Sequence, residues 1–196
     1  MKKLHNFSEV FDGQKVFRKV LEAMSNPGRK FSIAEQAERM YGVNSAFLAL
    51  AMTLLDNEVS FQACGNEELA ENISLLTLSK EVSLEEADFI FVERKEQLDE
   101  VFEKAKYGTL ADPQKSATVI IKVEDNGENV WNVYGAGIDG TLKLEVPETA
   151  QRAMELRDAQ GYEYPQGVDL VFVTEEKDIF CIPRLVLKKE EQSWHM

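Results

Sequence analysis

Val168-Asp169-Leu170-Val171-Phe172-Val173 is apolar at every position except Asp169. A strand with one wet face alternates apolar and polar residues, whereas a strand covered on both faces reads as a nearly unbroken apolar run. This hexapeptide therefore predicts a central strand with helices on each side of its sheet. Further strands are predicted on either side of it in sequence. Asp178 to Ile182 follows it, and Val59 to Ala63, Ala87 to Val92, Ala117 to Val123, Val130 to Tyr134 and Thr141 to Val146 precede it. Asn126-Gly127 suits a tight hairpin turn between the strands at 117–123 and 130–134.

Helices interleave with these strands. Asp12 is placed to cap the first, with Phe11 and Val16 closing a hydrophobic staple. Val16, Phe17, Val20, Leu21 and Met24 form its expected inner stripe, and Asn26-Pro27-Gly28 stops it. The segment from Asn44 to Leu55 is apolar on all sides, so it must be buried against other elements. A weaker helix fits 66–78, and two further helices fit Lys95 to Lys106 and Glu148 to Ala159. The predicted class is α/β: one three-layer α/β/α domain over residues 1–196, with a mixed sheet. A chain of this length can bury roughly 70% of its extended surface without metals or disulfides.

Charge narrows the function. With 22 Lys+Arg against 35 Asp+Glu, the net charge of -13 disfavours nucleic acid and anionic membrane surfaces as partners. The apolar run Ala46 to Leu55 is half a membrane span. Met1-Lys2-Lys3-Leu4-His5-Asn6 has no apolar stretch of a signal peptide behind its lysines, so a cytoplasmic protein is expected. Cys64 and Cys181 lack metal-site spacing and read as buried, inert thiols. The two histidines, His5 and His195, sit at the chain ends. A catalytic triad or a histidine-rich metal site needs imidazoles held firmly in the interior, so neither is expected. No metal and no cofactor is predicted.

The remaining motifs favour structural readings. Gly135-Ala136-Gly137-Ile138-Asp139-Gly140 matches a dinucleotide fingerprint, but Thr141 to Val146 alternates like a strand where a helix would be required. Arg29 and Lys30 beside Gly28 make a possible anion cradle, with a helix stop and solvated cations as the simpler account. Lys122 and Lys143 alternate as outward strand residues rather than Schiff-base lysines. Glu96, Asp99, Glu100 and Glu103 form the wet face of a helix packed through Leu98, Val101 and Phe102. Asp169, entering so apolar a strand, needs a cationic partner such as Arg184 or Arg18. The pair would be a structural ion bridge or part of a binding site.

Several blocks occur together in one order. They are Val16-Phe17-Arg18, Leu21-Glu22-Ala23-Met24-Ser25-Asn26-Pro27-Gly28, Leu54-Leu55-Asp56-Asn57, and Gly108-Thr109 with Pro113. Ala117-Thr118-Val119-Ile120-Ile121, Gly135-Ala136-Gly137-Ile138, Pro165-Gln166-Gly167-Val168-Asp169-Leu170 and Ile182-Pro183-Arg184 follow. In these the chain resembles the PhnH family, the H subunits of the bacterial phosphonate carbon–phosphorus lyase system. The resemblance implies a fold similar to the large domain of pyridoxal-phosphate-dependent transferases, without that cofactor.

It also implies work beside the G, I, J and L subunits, most directly I. The G, H and L subunits, with I, replace the adenine of ATP by an alkylphosphonate, giving ribose 1-alkylphosphonate 5-triphosphate; J later cleaves the C–P bond. The segment from Gly28 to Asn44 is shorter than in some relatives, and the tail after Leu187 is more charged. With no interior histidine and no metal or cofactor motif, the chain is expected to be an accessory subunit, inactive alone; as the resemblance implies, it is expected to form a homodimer when isolated. The alternative is a nucleotide- or phosphonate-binding subunit, with Arg18, Thr109, Asp169 and Arg184 as first candidates because guanidinium and hydroxyl groups suit phosphonate oxygens.

Overall fold

The computed structural model describes residues 5–124, 127 and 129–189. In chain order its strands are β1 (Phe31–Ser32), β2 (Ser60–Gln62), β3 (Lys80–Glu81), β4 (Phe89–Val92), β5 (Thr118–Lys122), β6 (Asn129–Gly135), β7 (Leu142–Val146), β8 (Asp169–Val173), β9 (Asp178–Ile182) and β10 (Val186–Lys188). The helices are α1 (Phe11–Ser25), α2 (Ala34–Ala37), α3 (Ser45–Leu54), α4 (Glu67–Thr77), α5 (Leu98–Lys104) and α6 (Glu148–Asp158).

β8 sits inside a seven-stranded mixed sheet of order β1-β9-β8-β5-β4-β2-β3. Strands β3, β2, β4, β5 and β8 run parallel, and β9 pairs antiparallel with both β8 and β1. The unbroken apolar character of β8 has the expected cause. Val171 and Val173 enter one core with α1, α3 and α4, while Leu170 and Phe172 enter the other with α5 and α6. Phe172 stacks on Phe180 of β9, with ring centroids 4.7 Å apart. α3 is buried as its composition requires, with Ala49 and Leu50 fully enclosed.

Two sheets replace the single one expected. β6, β7 and β10 form a separate three-stranded antiparallel sheet whose Trp131, Val133 and Leu144 pack into the second core. The segments at 117–123 and 130–134 are not a hairpin, because both edges of β5 are already occupied by β4 and β8. Asn126, the turn residue proposed for it, lies outside the described residues, as do His195 and the charged tail from residue 190 onward. The Gly135 to Gly140 segment joins two strands, β6 and β7, as its alternation indicates. The predicted helix at Lys95 to Lys106 is divided: a 3-10 turn at Lys95–Gln97 precedes α5.

α1 also differs from its reading. Its buried side is the small-residue stripe Gly13, Val16, Val20 and Ala23, which lets the helix approach the sheet and α3 closely. Phe17 and Leu21 are instead 45% and 49% exposed, and Phe11 points into solvent, so no staple forms. Ser8, ahead of the helix, supplies the capping: its hydroxyl accepts the Phe11 N–H at 3.3 Å. Asp12 is buried and accepts the Ser8 N–H at 2.8 Å and the Arg39 guanidinium at 3.1 Å. Gly28, three residues past the end of α1, turns the chain with φ +77, and its N–H donates to the Cys181 carbonyl of β9 at 3.0 Å. His5 is pinned by an antiparallel bridge to Met40, not left at a loose end.

Candidate functional site

The amino ends of the central parallel strands gather the polar side chains that matter most. Asp169 opens β8, and the antiparallel register of β8 on β9 sets Leu170 opposite Ile182, which brings Arg184 to Asp169. One Asp169 carboxylate oxygen accepts the Arg184 backbone N–H at 2.8 Å. The other accepts its Nε at 3.1 Å and Nη2 at 2.6 Å. The remaining guanidinium nitrogen of Arg184 donates to the Pro113 carbonyl. Both members are mostly buried, at 21% and 17% side-chain exposure, so this is a bidentate pair sheltered from water.

Thr109 belongs to the loop held by this pair. Its hydroxyl accepts the Asp112 N–H at 2.9 Å, and the preceding Gly108 carbonyl accepts from Gln166 at 3.0 Å. The Gly167 N–H donates to the Tyr107 carbonyl at 3.0 Å, and Tyr107 stacks on Tyr162 at 5.1 Å. Thr109, Asp169 and Arg184 are therefore brought into one neighbourhood, with every Arg184 guanidinium nitrogen already engaged inside the protein. Arg18 is not part of it: it stands exposed on α1, without an ion pair or hydrogen bond among the described residues.

A second cluster lines the same rim. The Asp88 carboxylate accepts the Ser60 N–H and hydroxyl, each at 2.8 Å, and the Lys106 ammonium at 2.5 Å. Partial burial works to raise the Asp88 pKa, but the Lys106 and Ser60 hydrogen bonds and the Lys106 charge outweigh it and hold the carboxyl below its ordinary value. A depressed folded-state pKa stabilises the fold fully above the unfolded carboxylate pKa of about 4 and loses that contribution as pH falls through the folded value. The melting-temperature gap between wild type and Asp88→Asn should therefore be wide at neutral pH and close as the solution is acidified below that point. A gap unchanged by acid would show that the charge on Asp88 is not what stabilises this rim.

The other singled-out motifs are structural in place. The Gly28 turn has no open amide cradle, since Gly28 N–H is taken by Cys181 and Arg29 N–H by the Asn26 carbonyl. Lys122 and Lys143 are exposed. Both cysteines are free thiols, and their side chains belong to opposite cores. Burial, with the charges of Glu100 and Glu81, pushes the Cys64 thiol up to about 12, and burial raises Cys181 further. Neither is a nucleophile at neutral pH. Among the described residues there is no group of three or more His, Cys, Asp or Glu placed to hold a metal, and no helix is long and apolar enough to cross a membrane.

Sequence reasoning missed Arg157. It is fully buried at the end of α6. Its Nε donates to Asp158 at 2.8 Å, its Nη1 to the Pro183 carbonyl at 3.2 Å and its Nη2 to the Val186 carbonyl at 2.6 Å. It thus ties α6 to the crossing from the large sheet into the small one. A signal was present: Ala150, Ala153, Met154 and Arg157 share one helical stripe, all of it inward.

The molecule is thus an α/β protein whose polar rim is committed to holding its own loops. Comparison with known proteins specifies the class: the family model described as bacterial phosphonate metabolism protein (PhnH) matches residues 6–187. The chain belongs to the PhnH family. It is 27% identical over 172 residues to HtxG of Stutzerimonas stutzeri, named as a C-P lyase subunit protein, covering 87% of this chain and 83% of that one. It is 24% identical over 188 residues to the alpha-D-ribose 1-methylphosphonate 5-triphosphate synthase subunit PhnH of Rhizobium meliloti (strain 1021), covering 93% and 92% of the two chains.

Proposed function

We propose that this chain is an accessory subunit of the carbon–phosphorus lyase core complex in phosphonate catabolism. It supports formation of alpha-D-ribose 1-alkylphosphonate 5-triphosphate from ATP and an alkylphosphonate without performing the chemistry itself. The family match across nearly the whole chain carries this reading. The rim geometry supports it: Asp169, Arg184 and the Thr109 loop satisfy one another, as a scaffold does, instead of presenting open groups to a substrate. The likeness to the large domain of pyridoxal-phosphate-dependent transferases is part of the same proposal, supported by a seven-stranded mixed sheet with helices on both faces. A cytoplasmic location follows from the pathway proposed.

The partner is the I subunit, docked on the outer side of α1. Val10, Phe17 and Leu21 recur there on one helical stripe with 45% to 72% exposure. Lys15 and Arg18 flank them, giving the apolar centre and polar rim of a protein interface. In the absence of partners, copies of the chain pair through this same face. The decisive assay incubates the purified chain with ATP and methylphosphonate, alone and with the other subunits. Adenine release is expected only from the complete set; release by the lone chain at a comparable rate would overturn the accessory role.

A further inference from the structure

We propose that the cleft beyond the carboxyl ends of β5 and β8 binds a single tetrahedral oxyanion, a phosphoryl or phosphonate group. Ligands of open α/β sheets bind outside the carboxyl ends of the strands, and the neighbouring parallel strands β5 and β8 end side by side here. The cleft there measures about 120 Å³ and is lined by the start of α3, by Lys122 at the end of β5, by Val173 at the end of β8, and by Thr174, Glu175 and Lys177 beyond it. That is well below the roughly 300–1,000 Å³ of sites that enclose a whole small molecule. One tetrahedral group fits, and the rest of its molecule would project into solvent.

Three features converge on the cleft. α3 points its amino end into it with no side chain capping it. The first intrahelical bond, Leu48 N–H to the Asn44 carbonyl at 2.9 Å, leaves the amides of Ser45, Ala46 and Phe47 as helix-end donors. Ser45 is 6% exposed, lines the cleft, and its hydroxyl has no hydrogen-bond partner among the described residues. Its oxygen opens onto the cleft rather than into the closed core, which leaves the hydroxyl free to donate to an anion's oxygen. Lys122 makes no ion pair or hydrogen bond among the described residues, although the chain carries a net charge of -13. Lys177 adds positive charge and is tied only loosely to Glu38, at 3.8 Å. The acidic member of the lining, Glu175, is exposed at the rim.

The choice of phosphonate as a probe rests on the function proposed above; the anion site itself rests on this geometry. The full chain, labelled with nitrogen-15, is titrated with inorganic phosphate, methylphosphonate and ATP, against sodium chloride at matched ionic strength. Saturable shifts of the Ser45, Ala46 and Phe47 amides in the millimolar range are expected. Lys122→Gln should weaken binding about tenfold, the loss of one charge-assisted contact. Ser45→Ala should weaken it severalfold, and Lys143→Gln, on the other sheet, should leave it unchanged. Tighter binding of ATP would assign the group to a nucleotide phosphate, and tighter binding of methylphosphonate to the phosphonate. Absence of saturation, equal shifts with chloride, or unaltered binding in Lys122→Gln would overturn the site. Copurification of Lys122→Gln with the I subunit, measured in parallel, reads the assembly role separately, so either reading can fail alone.

Discussion

Arg157→Met should destabilise the fold by about 3–5 kcal/mol, the loss expected when one partner of a buried, hydrogen-bonded charge network is removed. Methionine fills much of the volume of arginine but donates nothing. The Pro183 and Val186 carbonyls and the Asp158 carboxylate would lose their donor, and each buried acceptor left unpaired costs about 1–3 kcal/mol. Because Arg157 fastens α6 to the passage between β9 and β10, the small sheet should loosen with it. Arg157→Lys restores the charge as a compact ammonium that cannot span the same fork, so it should recover only part of the loss. Urea denaturation measures both, and a loss below about 1 kcal/mol for Arg157→Met would show that water replaces the guanidinium without penalty.

The second large effect concerns assembly. The double variant Phe17→Asp with Leu21→Asp should fold normally, because exposed positions change stability by roughly 0.5 kcal/mol or less. Its association with the I subunit should fall by about a thousandfold, since buried apolar anchors at an interface commonly contribute 2 kcal/mol or more each. Pull-down of the complete subunit set reads the loss directly. Sedimentation of the isolated chain should show the same variant as monomeric. Retained copurification, with a normal circular dichroism spectrum, would move the docking face elsewhere.

The elements differ in how far the sequence discloses them, and the reasons are physical. β8 is legible because burial on both faces leaves no polar alternation. Its partner β9 is legible as a strand but not as a neighbour, so Asp169 could be matched to Arg184 or Arg18 until the antiparallel register chose the first. The small sheet was hidden because alternation reports a half-buried strand without saying which strand it joins. α1 was misread because a hydrophobicity stripe ranks Phe17 and Leu21 above Gly13 and Ala23, whereas close packing of a helix selects small residues. Two-residue strands such as β1 and β3 are too short to leave a periodic signal.

Those short borders have a consequence for how the molecule keeps company. Each outer margin of the large sheet offers only two residues of backbone, Phe31–Ser32 on one side and Lys80–Glu81 on the other, and the latter presents opposite charges to any arriving chain. At the large sheet a foreign strand has almost nothing to zip onto, which guards these margins against fibrous growth. Recognition along that sheet must then be written in side chains on the helices that cover it, where a wrong neighbour can be rejected one residue at a time.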